Sequence, residues 1–316
     1  MAIPEGEEIE VRLLRGPDAE VLDLAFSPDG TAIAAGFKHH PVHLWNLEAA
    51  TPAPVRMVAE GGYTPGGLQF APDGRSLWWR RVDGRGGYDR DTRDYLNQSF
   101  AISVTSHNAF ASASGVRVIS QHAMPDYCLV GWEWTKAGWM RRWTVSIADL
   151  ALESLTLSGD GAYLGLIARN ALGGRWIENP RQVELWDGTT GKVLSTGHYP
   201  YAYAPRLHFA PDAHQLVGIN DMTLLVWSAP GLGEPRLIRN DNRKDYTAVA
   251  FHPAGRRLYA ASNDGTVQLF DTENWERVER FSWKIGRPKS VAVNAEGTLA
   301  AAGGEGGEIV IWDVDE

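Results

Sequence analysis

The chain has 316 residues, with 30 basic against 39 acidic side chains, a formal net charge of −9, and 44% hydrophobic residues. That apolar share excludes wholesale disorder, and the acidic balance argues against general binding to phosphate backbones or anionic membranes, which require Lys/Arg patches. A single cysteine, Cys128, excludes an intrachain disulfide framework and a thiolate metal cage.

In chain order, Met1 to Glu8 has neither the basic nor the apolar region of a signal peptide. No run of about 18 apolar residues marks a transmembrane helix, and a cytoplasmic protein is the expectation. An alternating stretch follows from Glu8 to Leu14. Next, Val21-Leu22-Asp23-Leu24-Ala25-Phe26 alternates and breaks into Ser27-Pro28-Asp29-Gly30. Alternation of period two makes a half-buried strand, proline presets one turn dihedral, and glycine occupies the position where a β-carbon would clash. The unit returns at Leu68–Gly74, in a longer form without proline at Ala109–Gly115, and then at Ser154–Gly161, Leu207–Ala213, Val249–Gly255 and Val291–Gly297. Anchored on Phe26, Phe70, Phe110, Leu157, Phe209, Phe251 and Val293, the intervals are 44, 40, 47, 52, 42 and 42 residues. A period near 40–45 is that of a four-stranded propeller blade.

Each unit has a second mark, an apolar strand that ends in an aromatic residue. It is seen at Val42–Asn46, Val183–Asp187, Leu224–Ser228, Val267–Asp271 and Ile309–Asp313. On these residues the chain resembles the WD-repeat β-propeller family over about Ile9 to Asp313. The family's Trp-Asp dipeptide is present at Trp186-Asp187 and Trp312-Asp313 and softened at Phe270-Asp271, Trp45-Asn46 and Trp227-Ser228. Its Gly-His dipeptide occurs at Gly197-His198, and its turn aspartate matches Asp221 and Asp264. Most copies lack the full His–Ser–Asp–Trp set. The expectation is an all-β chain, a single domain over residues 1–316: a seven-bladed propeller of four-stranded antiparallel blades. The strand ending at Leu14 is expected to pair with Glu308–Trp312 in the last blade and so close the ring.

Function in a repeat protein sits where the repeats differ. The fourth unit runs 27 residues from Gly159 to Trp186, about ten more than its siblings. Its insertion, residues 169–181, carries Arg175, Trp176 and Arg181, and the following inter-blade loop carries Tyr199, Tyr201 and Tyr203. Both are expected on the top face, where the composition is that of a protein or peptide recognition patch; the plainer reading is that the rings pack on one another and hold two long loops. A hairpin turning at Lys136-Ala137 sets Trp134 opposite Trp139 and Trp132 opposite Arg141, and alternation places Trp143 on the same face. Packing between blades is the expectation there.

Other motifs fail on their chemistry. Asp89–Asp94 lacks the glycine and distal glutamate of a calcium loop. His39, His40 and His43 have no adjacent carboxylate and are split by Pro41. Gly188–Val193 lacks the spacing of a phosphate loop, and Gly303–Gly307 lies between strands rather than before a helix. Cys128 sits in an apolar strand, as an inert buried thiol does. No catalytic residue, metal site or cofactor is expected. The resemblance implies a non-catalytic scaffold or adaptor with a protein or peptide partner. The alternative is a propeller enzyme with a polar or metal-bearing channel site, for which Asp23 and His208 stand in first strands.

Overall fold

The alternating runs become hairpins because each turn satisfies its own backbone. The structure, a computed structural model, describes residues 11–56, 66–70, 74, 76–81, 84–89, 108–111, 116–123, 126–135, 138–170, 181–200 and 205–314. In the first repeat, Ser27 Oγ accepts the Ala32 N–H at 2.9 Å and donates to Asp29, whose carboxylate accepts the Thr31 N–H at 3.1 Å. Gly30 closes the turn at φ +68°, in the left-handed region that costs glycine nothing. The fourth repeat repeats this chemistry with Ser158, Asp160 and the Tyr163 N–H. In the seventh, the side chain of Asn294 takes the serine's place and accepts Leu299 N–H at 3.0 Å. The turns at 71–73 and 112–115 lie outside the described residues.

Among the described residues every regular element is a strand, and the strands form seven separate antiparallel sheets. After β1 (Val11–Arg15), the first sheet holds β2 (Val21–Phe26), β3 (Ala32–Phe37), β4 (His43–Asn46) and β5 (Val55–Arg56). A three-stranded sheet follows, β6 (Gly66–Phe70), β7 (Ser76–Arg81) and β8 (Gly84–Asp89). The third holds β9 (Asn108–Ala111), β10 (Val116–Ala123), β11 (Asp126–Thr135) and β12 (Gly138–Ser146). The fourth holds β13 (Leu150–Leu157), β14 (Tyr163–Asn170), β15 (Arg181–Asp187) and β16 (Val193–Tyr199). The fifth holds β17 (Arg206–Phe209), β18 (Gln215–Asn220), β19 (Thr223–Ser228) and β20 (Arg236–Arg239). The sixth holds β21 (Tyr246–Phe251), β22 (Arg257–Ser262), β23 (Thr266–Asp271) and β24 (Arg277–Ser282). In the last, β25 (Ser290–Val293), β26 (Leu299–Gly303) and β27 (Glu308–Asp313) are joined by β1, with Val11 opposite Trp312 and Arg15 opposite Glu308.

First strands of successive sheets pack together: β25 on β2, β2 on β6, β9 on β13, β13 on β17, and β21 on β25. Polar side chains stitch them. Asp23 accepts the Leu68 N–H at 2.8 Å, Ser154 the Leu207 N–H at 3.1 Å, Thr247 donates to Pro288 O at 2.8 Å and Ser290 to Val21 O at 2.9 Å. Three of these groups sit at register shifts, where the extra residue of a β-bulge re-aims a side chain out of the ladder.

Core clusters lie between neighbouring sheets rather than inside one. The aromatic ends of the third strands supply much of them: Trp45, Trp227 and Trp312 are at most 1% exposed, and Trp186 and Phe270 are buried beside them. Where the sixth sheet departs from the expected His–Ser pair, amides replace it. Asn240 donates to Ser262 Oγ at 3.0 Å and accepts from Gln268 at 3.1 Å, all three side chains buried and paired.

Candidate interaction surface

In each four-stranded antiparallel sheet, the link from second to third strand and the exit from the fourth lie at the same end. These connectors bond to one another along the sheets. Tyr246 N donates to Asp221 O at 2.8 Å, Asn263 N to Asp245 O at 2.9 Å, Val21 N to Gly304 O at 2.9 Å, and Lys38 N to Glu20 O at 3.0 Å. Among the described residues these bonds tie the fifth sheet to the sixth and the seventh to the first, at the end opposite the serine-capped turns. Residues 171–180 link β14 to β15 and residues 200–205 link β16 to β17, and of these only 200 and 205 are among the described residues.

Of the six residues expected to form a recognition patch, Arg175, Trp176, Tyr201 and Tyr203 lie outside the described residues. Arg181 and Tyr199 are described, and both point inward. Tyr199 ends β16, is 1% exposed, and donates its hydroxyl to Ile219 O at 2.5 Å. Its ring stands 5.9 Å from that of Trp227, and burial holds its hydroxyl far above the ordinary tyrosine value. A β-carbon on Gly218 would fall 2.9 Å from the Tyr199 ring, so a bare backbone in β18 makes room for it. Tyr199 therefore joins the fourth sheet to the fifth and presents no ring to a partner, which corrects its expected place in a loop.

Arg181 opens β15 opposite Tyr199 and is 6% exposed. Its guanidinium pairs with Glu153, which also takes the guanidinium of Arg169. Glu153 is the residue skipped at the bulge between Leu152 and Ser154, and Arg169 lies next to the end of β14. Both stems of the 171–180 connector are thus clamped on one carboxylate. The expected role of Arg181 as a flanking surface donor is corrected to an anchor at the loop's root. Alternation in the sequence does not reveal this bulge; a lone charged residue in the first strand is the signal that points to it.

The tryptophan hairpin has the expected pairing, Trp134 with Trp139 and Trp132 with Arg141. Its face assignment needs one correction. The register shifts at Arg142, so Trp143 pairs with Gly131 and stands on the other face from Trp132. Trp143 then packs against the fourth sheet and donates Nε1–H to Gly188 O at 3.0 Å. His43 stands edge-on to Phe37 at 5.3 Å, its Nδ1 3.0 Å from Pro41 O, and its pKa is lowered by burial. Among the described residues no three His, Cys, Asp or Glu side chains gather as a metal site requires. Cys128 is buried in β11; residues 90–94 of the acidic Asp89–Asp94 run lie outside the described residues.

Two titratable groups stand on the first strands. Asp23 is buried, which raises its pKa against the opposing pull of the Leu68 N–H and the Arg206 guanidinium. Its two oxygens accept Leu24 N–H at 3.0 Å and Leu68 N–H at 2.8 Å, which commits the carboxylate to holding strands. His208 is pushed down to about 4, by burial and then by Arg206 two residues away, so its imidazole is neutral at pH 7.

The connectors at 240–245 and 283–289 escaped the sequence reading because they carry no repeat anchor. Asn240 Nδ2 donates to Lys244 O at 2.8 Å and Asn242 Oδ1 accepts Lys244 N–H at 2.9 Å, which fixes the first. Buried Ile285 and Pro288 fix the second, and Trp283 lies 4.4 Å from Trp312 and stacks on Phe281 at 5.4 Å. Runs of Lys and Arg within short connectors were the available signal.

The family model of the WD domain, G-beta repeat, matches residues 9–46 and 236–271. The guanine nucleotide-binding protein subunit beta of Zea mays is 26% identical over 143 residues, 41% of this chain and 38% of that protein. Target of rapamycin complex subunit LST8-1 of Arabidopsis thaliana is 26% identical over 90 residues, 28% of this chain and 30% of that protein. The matches thus span well under half the length of these relatives. Among solved structures, the Cps50 (Swd1) beta-propeller domain of Myceliophteria thermophila aligns at TM-score 0.73 and 14% identity, over 98% of this chain and all of that one.

Proposed function

The chain belongs to the WD-repeat β-propeller family, and from that premise we propose that it is a cytoplasmic, non-catalytic scaffold that holds protein partners on its connector end. The observation that carries this reading is the rooting of the 171–180 connector. Both stems, at Arg169 and Arg181, are clamped by Glu153, and Tyr199 pins the root of the neighbouring connector. Preorganised loops bind at lower entropic cost. Relatives named as a subunit beta and as a complex subunit support a role in assemblies.

The same reading takes the seven sheets as seven blades of one closed ring, with β1 on β27 as its seam. Support comes from the β1–β27 register and from the Ser290 bond to Val21. Deleting residues 1–15 should lower the melting temperature and cause aggregation through the bared edge of β27; an unchanged melting curve overturns the seam.

The functional test separates presented residues from anchors. Trp176→Ala, Tyr201→Ala and Tyr203→Ala together should abolish recovery of partners that the tagged wild type pulls from cell extract, with circular dichroism unchanged. Glu273→Ala with Glu276→Ala, on the opposite end, should leave recovery intact. The reverse pattern, or a wild type that recovers no partner, overturns the reading.

A further inference from the structure

The connector end in the fifth to seventh sheets carries a surplus of unpaired cations. Arg239, Arg243, Lys244, Lys284 and Arg287 are all exposed, and none has a carboxylate within salt-bridge distance among the described residues. The carboxylates around them are largely taken. Asp241 pairs with Arg277 at 2.7 Å, and Asp264 pairs with Arg280 while also accepting the Thr266 hydroxyl at 2.6 Å. Asp245 and Glu305 offset part of the charge, and an excess of positive charge remains on a chain whose net charge is −9.

These cations add nothing evident to the fold. The connectors that carry them are held by other groups: Asn240, Asn242 and Gln268 in one, and Ile285, Pro288 and Trp283 in the other. The backbone is therefore fixed while the charged tips stay in water. A cationic arc on an acidic body also steers. An acidic partner is repelled by the rest of the surface and drawn to this one place, which sets orientation and encounter rate.

We propose that this arc is the docking site for an extended acidic peptide segment of a protein partner. The proposal rests on the scaffold reading above and names the chemistry of the segment held. Arg243 and Lys244 lie on one connector, and Lys284 and Arg287 on the next. An occupant that engages both must span two sheets, which a stretch of chain does and a single small anion does not. Trp283, half-buried against Trp312, gives a fixed apolar shoulder beside Lys284 for the segment's own apolar side chains.

The test uses the full chain and three fluorescein-labelled probes: deca-glutamate, deca-lysine and a ten-nucleotide oligothymidylate. Deca-glutamate should bind, and binding should weaken as salt rises from about 0.05 to 0.2 M, as exposed charge pairing does. Arg243→Glu, Lys284→Glu and Arg287→Glu combined should weaken it by about tenfold or more, with the melting temperature unchanged. Glu273→Ala with Glu276→Ala should leave it as in the wild type. Unaltered binding by the charge-reversed protein, equal binding of deca-lysine, or tighter binding of oligothymidylate than of deca-glutamate overturns the proposal. If any of these occurs while the Trp176, Tyr201 and Tyr203 variant still loses its partners, the acidic segment falls and the scaffold stands. Loss of the scaffold reading is told separately, by a wild type that recovers no partner.

Discussion

The connectors around β14 to β17 and those from β20 to β25 share one end of the molecule but spend their arginines differently. In the first region, Arg169 and Arg181 turn back onto Glu153, and the side chain of Arg181 is only 7% exposed. In the second, Arg243 and Arg287 stand in water, and the connectors are held by amides and apolar anchors instead. The difference lies underneath: a bulge in β13 delivers a carboxylate to the root of one connector, whereas β21 has Thr247 at the equivalent bulge and no charge to offer. An arginine is therefore structural or available according to what the neighbouring first strand places below it.

Substitutions at the buried root carry the largest expected effects. Tyr199→Ala should cost about 3–5 kcal/mol, the range for emptying a buried aromatic position, whereas Tyr199→Phe, which gives up only the bond to Ile219 O, should cost about 1 kcal/mol. Denaturant midpoints decide it; equal losses would mean that the hydroxyl rather than the ring joins the two sheets. Glu153→Ala leaves two guanidinium groups without their shared carboxylate, and roughly 3–5 kcal/mol is expected for breaking a buried pair from one side. A loss below that of an ordinary surface change would show that the stems need no clamp.

A pH titration tells buried charge from exposed charge. His208 has a folded-state pKa of about 4 against an ordinary 6.5, so the unfolded chain takes up the proton first. Its contribution is complete above pH 6.5 and is lost as pH falls through the window down to about 4. The loss amounts to roughly 3 kcal/mol at the lower end, since each pH unit that separates the folded and unfolded titrations is worth about 1.4 kcal/mol. His208→Gln should flatten the stability curve over that window, and an unchanged slope would refute the assignment. The smallest effect belongs to the exposed arc: Lys284→Ala should move stability by no more than about 0.5 kcal/mol. A larger drop in melting temperature would place Lys284 in the fold's own contacts.

Much of this architecture is legible in the residues, because it rests on local chemistry. The Ser-Pro-Asp-Gly turn and the third-strand aromatics follow from alternation and turn propensity, and the pairing of the strand ending at Leu14 with Glu308–Trp312 follows from the fourth strand that the last unit lacks. What stays hidden is what depends on a second sheet. Tyr199 reads as a loop aromatic until Gly218 of the neighbouring sheet opens a slot for it. Trp143 reads as part of a ladder until one extra residue, Arg142, turns it to the other face. Arg181 reads as a surface donor because nothing local says that Glu153 has been pushed out of its strand. The pairing of Trp132 with Arg141, by contrast, needs only the hairpin's own symmetry.

The pairing of β1 with β27 also sets an order of events in time. Most hairpins here join neighbours in sequence and form fast, but Ser290 must find Val21 across 269 residues, and β1 must wait for β27. During synthesis β1 emerges before β27 and has no partner until the residues between them have followed. In that interval Val11 and Leu13, still half exposed after pairing at 47% and 51%, lie open on an unpaired edge. Residues 11–15 are thus the segment most exposed to capture by a chaperone or by a second nascent chain. The slowest refolding phase should be the one that reports the pairing of β1 with β27.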